Sequence, residues 1–174
     1  MNNETYKNLL KNYKLPRISE IPDLELYMDQ VLIYVKKYFS VFPYESESSF
    51  ITPSMINNYV KSGLMPAPIG KKYTRRHIAY ILSIFFLKQI FSLEEVKIFM
   101  AIEIKNSNEK SAYEHFCDNL EQELNNCVFK DNPIKKAVES ETNSTLHHAA
   151  LSIANKLYAQ SLIKLQLKSK INKQ

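Results

Sequence analysis

Glycine scarcity is the feature of this sequence that most limits its possible folds. Of its 174 residues only two are glycine, Gly63 and Gly70, whereas an average protein contains about 7% glycine. Tight β-hairpin turns and phosphate-binding loops need glycine, because glycine adopts left-handed backbone conformations at little steric cost. We therefore predict a mostly α-helical protein and exclude Rossmann and P-loop nucleotide binding. Both glycines fall within eight residues of each other, so the unusual backbone is concentrated in one place.

The spacing of apolar residues predicts seven helices. Apolar side chains recur at three- and four-residue steps, which is typical of helices with one buried face. Asp23, Thr52, Thr74 and Ser92 are expected as N-caps, because their side chains accept hydrogen bonds from free backbone N–H groups. Gly63 is expected to end the third helix in the left-handed conformation. The predicted helices cover residues 3–13, 23–40, 52–62, 75–90, 92–104, 109–128 and 144–168.

Two neighbouring segments of the chain differ in their predicted structure: one is an apolar helix and the other cannot be helical. Residues 78–90 are apolar on nearly every side, so we predict that they form the central core helix. Residues 64–73 contain two prolines and Gly70, which are incompatible with a helix. This segment is expected to be an extended loop or a small hairpin, that is, a wing. A polar loop at 43–49 and a turn at 131–133 are also predicted.

Positive charge is concentrated around the two glycines. The formal net charge is +5, but residues 51–91 carry six basic side chains and no acidic one. Residues 92–142 carry eleven acidic and six basic side chains, and residues 143–174 carry five lysines and no acid. A basic surface beside unusual backbone is typical of a nucleic-acid site, although a solvated basic face gives the same pattern. The basic residues of the first block are Lys61, Lys71, Lys72, Arg75, Arg76 and Lys88.

The helix at 52–62 is the expected reader of a DNA major groove. It begins after Thr52, and Ser54, Asn57 and Asn58 are candidates for base contact, because an asparagine amide binds adenine through a donor and an acceptor together. The alternative is an ordinary polar face in water. Tyr59 is expected to lie partly in the core with its hydroxyl available to a phosphate. The remaining candidates, all expected to hold phosphates, are Lys61, Lys71, Lys72, Tyr73, Arg75 and Arg76.

Residues 51–104 resemble the DNA-binding domain of MerR-type transcription regulators. The exit of that family's recognition helix is matched at four positions, and residues 91–96 (FSLEEV) match its last signature. The form MINNYVK is still more similar to a bacterial family of unknown function, DUF1836, that shares this core. The resemblance implies a winged helix-turn-helix fold and DNA binding. The matching residues are Tyr59, Gly63, Leu64 and Pro66 at the exit, and Lys71, Tyr73 and Thr74 at the end of the wing.

The expected organisation follows from this resemblance and from its departures. Asn57 stands where MerR-type proteins usually carry arginine, and about fifty residues precede the reader helix. We predict a mostly α-helical protein with a winged helix-turn-helix core over 51–104. Residues 1–50 would form a helical extension that includes the first helix of the DNA-binding domain, and residues 105–174 a helical dimerisation or effector region. The expected function is that of a cytoplasmic regulator that binds double-stranded DNA as a homodimer, with its protein or small-molecule effector left open.

Other classes of function are weighed against this one. A helical protein-interaction module that does not bind DNA is the main alternative, favoured by the missing arginine at position 57, with the acidic 92–142 face as its partner surface. A thiol or metal sensor through Cys117 and Cys127 is disfavoured, because their spacing is not that of a zinc site and small buried thiols are common. Catalytic signatures, cofactor motifs, a secretory signal and membrane-length apolar runs are not found, so we expect neither an enzyme nor a membrane protein.

Overall fold

Seven α-helices make up most of the structure, a computed structural model that describes residues 3–42, 51–128 and 144–171. Within these ranges there are no β-strands, only two isolated β-bridges, so the prediction of a mostly helical protein is confirmed. The predicted loop at 43–49 and turn at 131–133 lie outside the described residues. The helices are α1 (Asn3–Lys11), α2 (Met28–Phe39), α3 (Pro53–Lys61), α4 (Arg75–Leu87), α5 (Leu93–Asn106), α6 (Glu109–Val128) and α7 (Ser144–Ile171).

Helix α4 is the centre of the core, as predicted. Every residue from His77 to Ala79 and from Ile81 to Leu87 is buried, and the helix contacts α2, α6 and α7. Phe39 of α2 stacks on Phe85 with ring centroids 3.5 Å apart, and Phe86 meets the same ring edge-on. Burial of each such ring removes apolar surface from water and contributes about 1.5–3 kcal/mol, so the aromatic contacts explain why α4 lies at the centre.

Helix α7 folds back on its own chain over its first half. Leu146, Ile153 and Leu157 are each at most 2% exposed and face a long contact with α6. The buried residues form one continuous cluster from Leu10 of α1 to Leu157, which draws on all three segments of the predicted organisation. None of the described helices is both long and apolar enough to cross a membrane.

The start of α2 differs from the prediction. The predicted helix start after Asp23 is wrong, because the chain bends at Asp23 and Leu24 and α2 begins only after Tyr27. The N–H of Leu26 donates to the Tyr73 carbonyl at 2.8 Å, and the N–H of Tyr73 returns a bond of 2.8 Å to Leu26. This antiparallel bridge ties residues 23–26 to the segment that precedes α4. Gln30 caps α2 instead, its side-chain oxygen accepting from the N–H of Tyr27 at 2.9 Å.

The acidic side of α6 holds the segment that follows α1. Buried Glu121 accepts hydrogen bonds from the Leu15 N–H at 2.9 Å and from the Arg17 guanidinium at 2.9 Å. Arg17 also bonds Asp118 at 2.7 Å, and the Ile18 N–H donates to Glu114 at 2.9 Å. Three carboxylates of the acidic 92–142 block are therefore bound within the chain, which leaves less of that block for an outside partner.

Candidate nucleic-acid interface

Helix α3 is delimited by strong local signals, as predicted. Thr52 is its N-cap and accepts from the Met55 N–H at 3.2 Å, and proline occupies the first helical position. At the other end Gly63 has a φ of +69°. Its N–H bonds the Val60 carbonyl at 3.0 Å, and the Leu64 N–H bonds the Tyr59 carbonyl at 2.9 Å. This is the Schellman arrangement, which ends a helix sharply after the last turn.

One face of α3 is polar and exposed. Ser54, Asn57, Asn58 and Lys61 follow the one-, four-, five- and eight-position spacing of a single helix face, and all four are exposed. Their side chains form no hydrogen bond or ion pair with any other residue in the described part of the chain. The opposite face is buried through Ile56. The side-chain oxygen of Thr52 is occupied by its cap bond, so its role here is to position the helix.

The segment between α3 and α4 contains a tight turn that is closed by the β-bridge between Ile69 and Lys72. The Lys72 N–H bonds the Ile69 carbonyl at 3.0 Å, and the two residues between them, Gly70 and Lys71, have φ values of +58° and +64°. Positive φ at both central positions is the requirement of the type I′ hairpin turn. The predicted hairpin is therefore reduced to its turn, which projects Ile69 (85% exposed) and the exposed Lys71 from the surface.

Carboxylates from other parts of the chain form ion pairs with basic residues of 51–91, a stretch that contains no acidic residue itself. Lys72 pairs with Glu25 at 3.0 Å, and Arg75 pairs with Asp23 at 3.2 Å. A third basic residue, Arg76, donates two hydrogen bonds to Glu109 at 2.6 and 2.5 Å. These bonds hold the pKa of Glu109 below its usual range. Lys61 and Lys71 have no such partner among the described residues, so they carry the uncompensated charge of this surface.

Two predicted contact residues lie in the core instead. Tyr59 is 1% exposed and Tyr73 is 3% exposed, so neither ring reaches the surface where a phosphate would bind. Burial raises the pKa of Tyr59 to about 12, and its hydroxyl has no hydrogen-bond partner in the described structure. Tyr73 uses its backbone for the bridge to Leu26 and packs its ring edge-on against His77. Both tyrosines therefore belong to the hydrophobic core beneath α3 and the turn, and their hydroxyls are not available as phosphate contacts.

Two residues that sequence reasoning did not single out complete this region. His77 is buried, and its Nδ1 accepts from the Thr74 N–H at 3.0 Å while Nε2 lies 3.4 Å from the Ala67 carbonyl. Burial, opposed by the Ala67 bond, lowers the pKa of His77. The Thr-x-x-His spacing is the sequence signal for such a cap. Lys97 of α5 donates to the Ser62 carbonyl at 3.3 Å and brings a further positive charge to the end of α3, without any local signal.

The two cysteines are not placed for reactivity. Cys117 is fully buried, and burial raises its pKa to about 12. Cys127 is partly buried with its pKa raised to about 11, and its Sγ lies 3.4 Å from the side-chain oxygen of Asn155. A thiolate is the form that reacts and binds metals, so raised pKa values oppose both roles. Across the described ranges no group of three or more His, Cys, Asp or Glu side chains is arranged to hold a metal ion.

Comparison with known proteins bears on the family of this chain. No curated protein and no solved structure matches it. The family model described as a domain of unknown function (DUF1836) matches residues 16–119, a stretch that contains α2 to α5, the segment before α2 and the first half of α6. That stretch includes the polar face of α3, the turn and every carboxylate that pairs with the basic block. Because it spans more than half of the 174 residues, the chain belongs to the DUF1836 family.

Proposed function

We propose that this protein is a sequence-specific regulator that binds double-stranded DNA through a MerR-like winged helix-turn-helix. The observation that carries the proposal is the polar face of α3, where Ser54, Asn57, Asn58 and Lys61 are exposed without partners in the described structure. A short capped helix with such a face has the size and chemistry to enter a major groove. The turn at 69–72 would act as the wing, so that residues 52–62 contact bases and residues 66–76 contact the adjacent backbone.

The two sets of residues have different expected roles. The amides of Asn57 and Asn58 present a donor and an acceptor to an adenine edge, which gives sequence preference. Lys61 and Lys71 supply free positive charge for phosphates and thereby set the register on the duplex. Arg75 and Arg76 would exchange their carboxylate partners for phosphate oxygens. Because these ion pairs are exposed at the surface, each contributes only about 0–1 kcal/mol, so the exchange costs little.

A homodimer on a palindromic site fits this arrangement. One short reader helix and one turn contact few base pairs, whereas specific regulators reach useful affinity by combining two half-sites. Helix α7 has 28 residues, and over the part whose side chains are described, up to position 160, it packs against α6. We propose the C-terminal region 105–174 as the dimerisation or effector part.

The test is selection of DNA fragments by the purified chain at ~150 mM salt, where nonspecific binding is weak. Enrichment of a palindrome supports the proposal, and its half-site spacing gives the distance between the two reader helices. The double variant Asn57→Ala/Asn58→Ala should lose the enriched motif, while Asn106→Ala, an exposed asparagine at the end of α5, should keep it. Enrichment of no motif, with binding lost at this salt, contradicts the proposal.

A protein-interaction module that does not bind DNA is the second candidate. It is favoured by one observation: Lys72, Arg75 and Arg76 are already neutralised by carboxylates of the same chain. Retention on heparin at rising salt discriminates the two candidates, since a nucleic-acid binder is retained beyond what a net charge of +5 produces. Elution at low salt together with a failed selection would favour this second candidate.

A further inference from the structure

The most exposed large apolar side chain of the described ranges lies in the turn at 69–72. Ile69 is 85% exposed, more than any other large apolar residue there. The register of the backbone explains this exposure. Tyr73 faces the core, so its neighbour Lys72 points outward, and Ile69, which is paired with Lys72 across the turn, points outward with it. The fold therefore holds this isoleucine away from the core in a fixed direction.

Both ends of the turn are anchored to other parts of the chain. After the turn, Tyr73 exchanges two backbone hydrogen bonds of 2.8 Å with Leu26. Before the turn, the Ala67 carbonyl lies 3.4 Å from Nε2 of the buried His77. A side chain on an anchored turn has little backbone freedom to lose when a partner binds, so the cost of ordering it is small. This favours insertion of Ile69 into a partner.

A positive charge lies beside Ile69. Among the described residues other than glycine, only Lys71 has a positive φ, +64°, a conformation that is sterically unfavourable for any residue with a Cβ. Lys71 is exposed and has no carboxylate partner in the described structure, whereas Lys72 is paired with Glu25 at 3.0 Å. The turn therefore presents an apolar side chain and an uncompensated cation together.

This combination fits the minor groove of DNA. The groove has a negative potential that attracts lysine, and proteins that bind there frequently insert an aliphatic side chain between neighbouring base pairs. An uncharged protein surface would bury Ile69 equally well, but it would leave Lys71 unpaired. The turn also lies between α3 and α4, next in the chain to the helix proposed to read the major groove.

We propose that Ile69 is a wedge that enters the minor groove beside the base pairs read by α3 and partly unstacks one base step, so that the DNA is bent on binding. Lys71 would lie at the edge of the same groove. Bending costs least at flexible pyrimidine–purine steps such as TpA, so the wedge would add sequence preference at base pairs that α3 does not contact. This inference rests on the proposed DNA-binding function and adds a bent complex to it.

Duplexes of about 20 base pairs with a fluorophore at each end test the wedge at ~100 mM salt. One duplex has a central TpA step and the other a stiff A-tract, and energy transfer between the ends reports the bend. The full chain should bend the TpA duplex by about 20–90°. Titration of both duplexes gives the ratio of the two affinities.

Three variants separate the wedge from simple attraction of charges. Ile69→Ala should lose the bend and lower the affinity ratio of TpA duplex to A-tract duplex about threefold. Ile69→Lys adds a positive charge, so it should bind both duplexes at least as tightly as the wild-type chain and still lose the bend. Ile102→Ala replaces an exposed isoleucine of α5 and should behave like the wild-type chain.

Two results would overturn the wedge alone. These are a straight TpA duplex in the wild-type complex and an undiminished bend with Ile69→Ala. Either result would leave the exposure of Ile69 to a protein partner, while DNA binding itself would stand. A wild-type chain that binds neither duplex would overturn the DNA-binding function and the wedge together, so the two failures are distinguishable.

Discussion

Arg76 and Glu109 are joined by two parallel hydrogen bonds across 33 positions of the chain. The pair connects the first turn of α4 to the first turn of α6, and the Tyr80 hydroxyl adds a third bond to the same carboxylate. Arg76 lies in a stretch of sequence without acidic residues, yet in the folded chain its charge is neutralised by Glu109 of another helix. If Arg76 contacts phosphates as proposed, its contribution to the affinity for DNA depends on how readily it leaves this carboxylate.

Removing this carboxylate is expected to strengthen DNA binding. In Glu109→Gln the guanidinium of Arg76 keeps a hydrogen-bond acceptor but loses its counter-charge, so affinity for a random duplex should rise about threefold at low salt. Stability should fall by no more than about 1 kcal/mol, because the pair is partly exposed. Fluorescence anisotropy with a labelled duplex measures the affinity. Glu94→Gln is the matched control, and an unchanged affinity in Glu109→Gln would remove Arg76 from the proposed surface.

Removing the arginines themselves should have the opposite effect. Arg75→Ala and Arg76→Ala are each expected to weaken binding to all sequences about equally, since phosphate contacts carry no sequence information. The slope of log affinity against log salt should become shallower by roughly 0.9 for each lost contact. Binding titrations between low and physiological salt provide this slope. Lys105→Ala, a basic residue in the last turn of α5, should change neither quantity if the surface is correctly assigned.

His77 predicts a pH dependence of stability. Because the folded state lowers the pKa of this histidine from its ordinary 6.5, the unfolded chain binds a proton more readily than the folded one. The contribution of neutral His77 is therefore complete above pH 6.5 and is lost as the pH falls from there through the lowered pKa. The free energy of unfolding in urea should be smaller at pH 5.5 than at pH 7.5. His77→Gln, which can still cap Thr74, should reduce that difference, whereas His148→Gln on the exposed side of α7 should not.

The two glycines predict equal and modest losses on substitution. A Cβ at Gly63 would meet only the flexible end of Lys97 at 3.5 Å, and a Cβ at Gly70 would meet nothing within 4 Å. The cost of alanine is therefore the positive φ alone, about 1 kcal/mol at each site. Urea unfolding of Gly63→Ala and Gly70→Ala measures it. A loss several times larger at Gly63 would mean that the end of α3 tolerates far less adjustment than this structure implies.

Local signals predicted α3 well because each of its determining bonds spans few residues. Thr52 bonds a residue three positions away, and Gly63 and Leu64 close the last turn over three and five positions. The same kind of reasoning placed the start of α2 wrongly at Asp23. There a backbone pair joins Leu26 to Tyr73, 47 positions apart in the chain, so Leu26 is not helical, and no local pattern contains that information.

The exposed polar residues of the candidate surface could be predicted, but the neutralisation of its basic residues by carboxylates could not. The helical spacing of Ser54, Asn57, Asn58 and Lys61 specified an exposed polar face once α3 was located. The pairing of Lys72 and Arg75 with carboxylates near position 24 required knowledge of the tertiary fold. Tyrosine is common both in hydrophobic cores and at interfaces, so its position in a sequence does not decide between the two. Partial burial of Tyr59 was predicted, whereas its almost complete burial and that of Tyr73 emerged only from the packing.

The backbone bridge between Leu26 and Tyr73 also bears on how short a fragment of this chain could be and still bind DNA as proposed. A fragment starting at residue 51 would retain every amino acid proposed to touch DNA, yet its turn would lose the strand-like partner that fixes its exit into α4. Asp23 and Glu25 would leave with it, so such a fragment would be more basic and less ordered at the same time. It would bind nucleic acid of any sequence more readily and discriminate less. If the protein binds DNA as proposed, its selectivity should therefore depend on residues 23–26, far earlier in the chain than the residues that would contact the bases.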